Sequence, residues 1–267
     1  MTTPRQTITP GNLSEEALSI GRLLIVCVAF VAVAIPIAIS TELSQATPTS
    51  AAVDVVVRPA VKFAEFGAEK PSPEARYLAN WVADTNDNAN FDFIVVDKKF
   101  ARVFVFDGDA RLRGSAPVLL GAAHGDDSVP GIGTRPIPDV RPEERTTPAG
   151  RFLAERGHNT LGEDIVWIDY DAAVSMHRVR TINPKERRLE RLASPSVTDN
   201  RISYGCINVP SAFYDTYIRP TFASHRAVVY VMPEIKSLQQ VFGAYDVAAK
   251  SGVSTTSSGA MPLWRNK

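Results

Sequence analysis

The sequence has little cysteine and no surplus of either charge. Its 267 residues include 29 Lys and Arg and 29 Asp and Glu, which gives a formal net charge of zero. A nucleic-acid-binding protein usually carries a clear excess of positive charge, and this balance supplies none. The composition therefore excludes nucleic acid as the expected partner. At 45% hydrophobic content, the chain can bury one sizeable core without disulfide or metal support.

Long apolar runs are also scarce, and the main one lies near the N-terminus. Residues 23–39 carry no charge and, as a helix, would cover roughly 25 Å, the short end of a membrane span. Arg22 borders this run on one side, whereas the next basic residue on the other side is Arg58. Because positive charge tends to stay in the cytoplasm, this asymmetry predicts that the bulk of the chain is exported.

The apolar run has two interpretations. We expect a cytoplasmic segment over 1–22 and a transmembrane anchor over 23–40, which would hold the rest of the chain at the periplasmic face of an inner membrane. The alternative is a signal peptide whose cleavage releases the chain into the periplasm, since Ser44-Gln45-Ala46 is typical of a cleavage site.

Export makes Cys206 unusual. Thiols in an oxidising compartment tend to be paired, but the one other cysteine, Cys27, lies in the apolar run. Cys206 is therefore an odd thiol, which indicates either an intermolecular disulfide or a reactive role. Taken alone, it could also be a small buried hydrophobe.

Helical and strand patterns divide the remainder of the chain. Residues 41–90 are predicted to form a spacer that ends in a helix over 73–85, with Ser72 as its N-cap. Beyond it the apolar period becomes two, which is typical of short strands in a sheet-rich domain over 91–233. We expect 234–267 to form a partly disordered C-terminal tail. The predicted strands are 91–97, 100–107, 113–122, 150–155, 165–171, 173–177 and 226–232.

Two long connections interrupt the strands, at 123–148 and 178–202. Connections of this length in a compact domain tend to be lids or binding loops. The second connection is highly charged. Further along the chain, a short helix is predicted after Pro210. Four basic residues near the middle of the connection 178–202 form either a solvated face or a contact for anionic carboxylates: Lys185, Arg187, Arg188 and Arg191.

A reactive thiol needs a base, because a free cysteine is mostly protonated at neutral pH. Of the four histidines, His177 ends an alternating run in which a strand edge would fix its ring. His124 and His158 lie in predicted loops, and His225 precedes the last strand. We therefore predict His177 as the base. A zinc site built from Cys and His is the alternative, but the paired spacing of zinc ligands is lacking.

The residues around Cys206 predict a second element of the site. Ser203-Tyr204-Gly205-Cys206 is typical of a tight turn, in which Gly205 permits a positive φ or a close approach. Successive backbone N–H groups there could converge on an oxygen that gains negative charge during attack on a carbonyl. Asn208 would orient the turn or bind substrate.

This combination resembles the signature of the L,D-transpeptidase (YkuD-type) catalytic domain family. That signature is a histidine, a spacer, and then Ser/Thr-x-Gly-Cys-x-Asn or Arg, and the chain has His177 followed by Ser203-Tyr204-Gly205-Cys206-Ile207-Asn208. Supporting segments also match: FIVVDKKFARVFVF, Thr147-Pro148-Ala149-Gly150 ahead of a strand, and the closing RAVVYVM. The resemblance covers about 91–233.

The chain departs from the family pattern in three places. The residue after the histidine, usually glycine, is Arg178, and the residue before Gly205, often histidine, is Tyr204. The spacer between His177 and Cys206 is also longer than the family usually shows. We expect this longer connection to alter the choice of substrate more than the chemistry.

The resemblance implies a mainly β fold with small helices (α+β), namely a mixed β-sandwich preceded by the N-terminal membrane helix and a short helix. It also implies L,D-transpeptidation of peptidoglycan stem peptides during cell wall biogenesis and the maintenance of cell shape, through a thioester and without a metal or an organic cofactor. Cys206 would attack the carbonyl of the third residue of a tetrapeptide stem, and His177 would transfer the proton. The implied catalytic set is Cys206, His177, Gly205 and Ser203, and the implied substrate contacts are Asn208, Tyr204 and Arg178.

Two alternatives remain open at this stage. The same Cys-His pair would serve an L,D-carboxypeptidase, an amino-acid exchanger, or an enzyme that attaches a protein to the wall or releases it. A catalytically silent wall-binding module is the alternative from another class.

Overall fold

The computed structural model describes residues 60–223 and 226–251, which belong to one compact unit. Several predictions lie outside these residues: the cytoplasmic segment, the membrane anchor, Cys27, His225 and the tail beyond 251. Within the described part, no helix is both long enough and apolar enough to cross a membrane.

The first helix begins where its capping signal predicts. Helix α1 spans Pro73–Thr85, and the Ser72 hydroxyl accepts a hydrogen bond from the Ala75 N–H at 3.0 Å. Asn86 ends the helix in the left-handed conformation, with φ of 55°. Leu78 and other apolar residues of α1 pack into a buried cluster with β-sheet residues, so α1 is part of the compact unit.

Ten strands follow within the described residues, and the seven predicted strand segments are all present. The prediction over 113–122 divides into two strands, because the chain leaves β2 after Pro117, and Leu119 and Leu120 bond Asn208 and Asn200 instead. Two short strands on either side of the cysteine turn were not predicted. The strands are β1 Phe93–Asp97, β2 Arg102–Phe106, β3 Leu112–Pro117, β4 Leu120–Gly121, β5 Gly150–His158, β6 Asp164–Asp169, β7 Val174–Arg178, β8 Arg201–Ser203, β9 Ile207–Val209 and β10 Ala227–Val231.

The strands form one large mixed sheet where two stacked sheets were expected. Its order is β3-β2-β1-β10-β5-β6-β7-β9, and β4 pairs with β8 in a separate two-stranded ladder. Strand β10 joins the two halves, since it pairs parallel with β1 and antiparallel with β5. A bridge between Leu119, which follows β3, and Asn208 in β9 brings the two edges of the sheet together, so the sheet is nearly closed. The protein is thus mainly β with few helices.

Both faces of the central strands are buried, which explains their continuous apolar runs. Ile94 and Val96 of β1 face one core cluster with residues of β5, β7 and β9. Phe93 and Val95 face a second cluster that α1 and the C-terminal helices cover. The alternation of β1 therefore divides its side chains between the two cores.

The remaining helices are short. A helical segment over 211–221 confirms the helix predicted after Pro210 and includes a π-helical turn, Tyr214–Ile218. The residues expected to begin a partly disordered tail form two helices and pack on α1, with the Tyr245 hydroxyl 2.7 Å from Asp84. The other helices are α2 Arg188–Ala193, Leu238–Phe242 and Val247–Ser251, and the 3₁₀ turns are Ile132–Thr134, Ile137–Asp139, Pro142–Glu144 and Pro184–Glu186.

Candidate active site

Strand register brings the predicted base and the thiol to one place. Strands β7 and β9 pair in parallel, with Met176 opposite Ile207 and His177 opposite Asn208. Cys206 directly precedes β9, so the same register puts it beside β7. Side chains alternate along a strand, and Ser175 therefore shares a face with His177. The long connection between the two strands adds chain length without separating them in space.

The imidazole of His177 has a defined orientation. Its Nδ1 lies 2.8 Å from the carbonyl oxygen of Arg178. A carbonyl oxygen only accepts hydrogen bonds, so Nδ1 carries the proton in the neutral ring, and Nε2 is left with a lone pair. This assignment, made from the hydrogen bond, gives the ring the tautomer that a general base requires.

The thiol of Cys206 lines the same cleft as that imidazole, and its Sγ donates to the Ala173 carbonyl oxygen at 3.7 Å. Burial of the sulfur raises the pKa of Cys206, but the neighbouring side chains, His177 foremost, together outweigh burial and lower that pKa below its ordinary value. Ser175 contributes in the same direction, and its Oγ lies 3.6 Å from Sγ. A larger fraction of Cys206 is therefore thiolate, the nucleophilic form, than of an ordinary cysteine at the same pH.

The turn before Cys206 requires glycine. Gly205 has a φ of +127°, and a Cβ at this position would lie 2.8 Å from the Thr146 carbonyl oxygen. The Ser203 hydroxyl closes the turn, because it accepts from the Gly205 N–H at 3.1 Å and donates to the Cys206 carbonyl at 2.6 Å. The Gly205 N–H is thus engaged inside the turn, which removes it from the successive N–H groups that were expected to converge on an oxyanion.

Thr147 supports the turn from behind, and sequence reasoning did not identify this role. Its hydroxyl donates to the Gly205 carbonyl at 2.8 Å and accepts from the Gly121 N–H at 2.9 Å. The Thr147 carbonyl accepts from the buried ammonium of Lys98 at 2.9 Å, and Lys98 also bonds Asp126 at 3.1 Å. A buried ion pair therefore holds the segment on which the cysteine turn rests.

Two predicted substrate contacts are engaged within the protein. Asn208 is fully buried, accepts from Arg188 at 2.6 Å and donates to the Cys206 carbonyl at 3.2 Å, so it orients the turn. Arg178 bonds Asp164 at 2.8 Å and Asp215 at 2.6 Å. These contacts argue against substrate binding by Arg178, because two carboxylates already neutralise its charge.

Tyr204, the third predicted contact, is exposed beside the cysteine. It is 40% accessible, and the guanidinium of Arg145 lies 4.0 Å from the centre of its ring. Of the other two described histidines, one shares the cavity of the cysteine and one does not. His158 lines the cleft, whereas His124 bonds Glu234 at 3.1 Å near the buried ion pair.

Cys206 opens into two cavities, of about 680 and 300 Å³, and both also contain His177, Tyr204 and Arg180. The larger one is bounded by aromatic residues of β6 and its following turn, such as Trp167 and Tyr170, and by the connection 123–148. The smaller one is bounded by the connection 178–202. Both long connections thus wall the cleft.

Within the described residues, no group of three or more His, Cys, Asp or Glu side chains is placed to hold a metal ion. The site that the structure does define is a paired thiol and imidazole at the edge of a nearly closed sheet, beside a glycine turn. Such a site is suited to nucleophilic attack on an acyl group.

Several solved structures resemble part of this fold. No protein-family model matches the sequence, and no curated protein matches it. The helical cell shape determining protein Pgp2 of Campylobacter jejuni is 14% identical, with a TM-score of 0.36 over 59% of this chain and 55% of that one. An L,D-transpeptidase from Mycobacterium smegmatis is 14% identical, with a TM-score of 0.30 over 53% and 58%. An Enterococcus faecium L,D-transpeptidase mutant is 17% identical, with a TM-score of 0.30 over 53% and 50%. The chain spans little more than half the length of the Pgp2 structure.

Proposed function

We propose that this protein is a cysteine-dependent acyltransferase that performs L,D-transpeptidation on peptidoglycan stem peptides. One observation carries the proposal: the pairing of β7 with β9 puts the ring of His177, with its proton on Nδ1, in the same cleft as the thiol of Cys206, where His177 lowers the pKa of that thiol. The order of residues around this pair, from His177 to Ser203-Tyr204-Gly205-Cys206-Ile207-Asn208, supports the choice of substrate class through the family signature that it resembles.

In the first half of the proposed reaction, the proton of the Cys206 thiol passes to Nε2 of His177. The sulfur attacks the carbonyl carbon of the third stem residue, and the amide bond to the terminal D-alanine breaks. The leaving amine takes the proton from the imidazolium, which balances the step and leaves a thioester. The N–H groups of Tyr204 and Cys206 are the proposed donors to the oxyanion, since the Gly205 N–H is engaged by Ser203.

In the second half, the amine of another stem attacks the thioester carbon. His177 takes a proton from that amine and returns one to the departing sulfur, so the enzyme is restored and the stems are crosslinked. Water as the acceptor would make the enzyme an L,D-carboxypeptidase, and a different amine would make it an exchanger or a protein–wall ligase.

The proposed location is outside the cytoplasm, with 23–40 as an anchor in the inner membrane or as a cleaved signal. The apolar run and its charge asymmetry support this location. Cys206, the one described cysteine, is free, and a free thiol with a reactive role is compatible with this location.

Muropeptide analysis tests the proposal. Purified tetrapeptide stems are incubated with the full-length protein and with Cys206→Ala, and the products are separated by mass. Dimers crosslinked between third residues, formed only by the unaltered protein, are the expected result. Shortened monomers alone would favour the carboxypeptidase. If the unaltered protein and Cys206→Ala give the same products, Cys206 is not the nucleophile, and the silent wall-binding module is left.

A further inference from the structure

The smaller cavity at Cys206 is lined by residues of the charged connection. Its walls include Arg180, Arg188 and one carboxylate, Glu186. Glu186 bonds the Nε of Arg188 at 2.5 Å, so that pair largely balances itself, whereas the carboxylate that pairs with Arg180, Glu163, lies outside this cavity. Positive charge in a partly enclosed cleft attracts anionic ligands more strongly than the same charge on an open surface.

Arg180 lies where the cavities meet. It lines both cavities that contain Cys206 and a third that contains His177. Its Nε makes one long ion pair, to the half-exposed Glu163 at 3.5 Å, and donates no hydrogen bond within the described structure. Arg178, two positions earlier, is held by two carboxylates at shorter distances. A single long pair at the surface is weak, so most of the hydrogen-bonding capacity of the Arg180 guanidinium is left for a ligand carboxylate.

Arg188 makes the cationic wall rigid. Its side chain is only 13% exposed, and its Nη1 donates to Asn208 Oδ1 at 2.6 Å. Asn208 in turn donates to the Cys206 carbonyl. The wall formed by the connection is therefore tied directly to the turn that carries the nucleophile.

We propose that Arg180, with Arg188 beside it, binds the terminal carboxylate of the D-alanine that leaves the stem peptide. This inference rests on the proposed function and adds to it a carboxylate subsite in the smaller cavity. The leaving residue is joined directly to the attacked carbonyl, and consecutive Cα atoms are about 3.8 Å apart, so its carboxylate must lie close to Cys206. A cavity of about 300 Å³ accommodates one small residue, and the larger cavity accepts the rest of the stem.

Binding measured without turnover tests this subsite. Titration calorimetry on full-length Cys206→Ala compares a tetrapeptide ending in D-alanine with the same peptide as its C-terminal amide. We expect the acid to bind about tenfold more tightly, in line with a charge-assisted hydrogen bond in a partly buried site. In Cys206→Ala/Arg180→Gln, the affinity for the peptide acid should fall to that for the amide. In Cys206→Ala/Arg180→Lys, part of the preference for the acid should remain.

Arg187 provides a matched control, because it belongs to the same connection but is 70% exposed and pairs with Glu190. Cys206→Ala/Arg187→Gln should keep the full preference for the acid. Equal affinity of acid and amide, absence of measurable binding to either, or a preference that survives Arg180→Gln would each overturn the subsite. The proposed function fails separately, through the muropeptide products, because calorimetry does not depend on catalysis.

Discussion

The cleft is built from two kinds of structure, and they are held in different ways. Strands β7 and β9 and the turn between Ser203 and Cys206 are fixed by ladder pairing and by buried hydrogen bonds. Between the strand ends, the connections 123–148 and 178–202 contain 3₁₀ turns and the short helix α2, and side-chain ion pairs hold them, such as Arg135 with Glu144 at 2.7 Å. The thiol and the imidazole come from the first kind, and most of the cavity walls come from the second.

The paired strands hold the groups that react, whereas the connections form the walls that contact the substrate. Proton transfer depends on sub-ångström placement, which sheet register and a closed turn supply. Recognition of a particular stem peptide depends on wall shape and charge, which loops can change without disturbing the sheet. We therefore expect changes in the paired strands to affect every substrate, and changes in the connections to affect substrate preference.

The largest expected effect comes from removing the base. His177→Ala should lower the rate of D-alanine release by about 10²–10⁴-fold, because a positioned general base contributes that much. The rate is measured on tetrapeptide stems. His124→Ala is the control, since its ring is exposed and bonds Glu234 away from the cysteine. A rate for His177→Ala close to that of the control would remove His177 from the mechanism.

Substitution of the turn glycine should have the next largest effect. Gly205→Ala forces a Cβ against the Thr146 carbonyl at an unfavourable φ, so we expect a loss of roughly 3 kcal/mol in the free energy of unfolding. Gly162→Ala is the matched control: its φ is +77° and its Cβ would meet nothing within 4 Å. That variant should lose only about 1 kcal/mol. Urea unfolding of the two variants separates the effect of the contact with the Thr146 carbonyl from that of backbone strain alone. Equal losses of stability would contradict a role for that contact.

Loss of the Thr147 hydroxyl should have the smallest effect of the three. Thr147→Val preserves the shape but leaves the Gly205 carbonyl and the Gly121 N–H without their partner, at a cost of about 1–3 kcal/mol. Thr147→Ser keeps the hydroxyl and should retain most of the stability. Urea unfolding is the measurement, and an unchanged midpoint for Thr147→Val would show that the turn does not depend on this support.

Much of the β-sheet was predictable, because β1, β2 and β10 are long apolar or alternating runs with clear ends. The short strands β8 and β9 were missed, since three residues cannot display a period. Their pairing depends on β4 and β7, which lie far away in the sequence. The order of the strands in one nearly closed sheet could not be predicted, because strand order is decided by long-range pairing, above all by β10.

At the site, the residue types around Cys206 indicated the turn, whereas the partners of each side chain could not be deduced. Arg178 looked like a ligand for substrate, but its place in β7 puts it against Asp164 and Asp215. Ser175 was overlooked, although alternation with His177 already placed both on one face. Thr147 had no local signal for its contact with Gly205, which the fold creates.

The pH dependence of Cys206 alkylation tests the central claim most directly. Iodoacetamide is applied to the full-length protein and to His177→Ala across a pH series, and modification of Cys206 is followed by peptide mass mapping. Because His177 lowers the pKa of Cys206 against the effect of burial, the half-maximal rate should occur at a pH below about 8.5, the ordinary thiol value, in the unaltered protein. The midpoint should shift to higher pH in His177→Ala, where burial still raises the pKa of Cys206 and Ser175 still lowers it, but the contribution of His177 is lost. Equal midpoints in the two proteins would contradict the account.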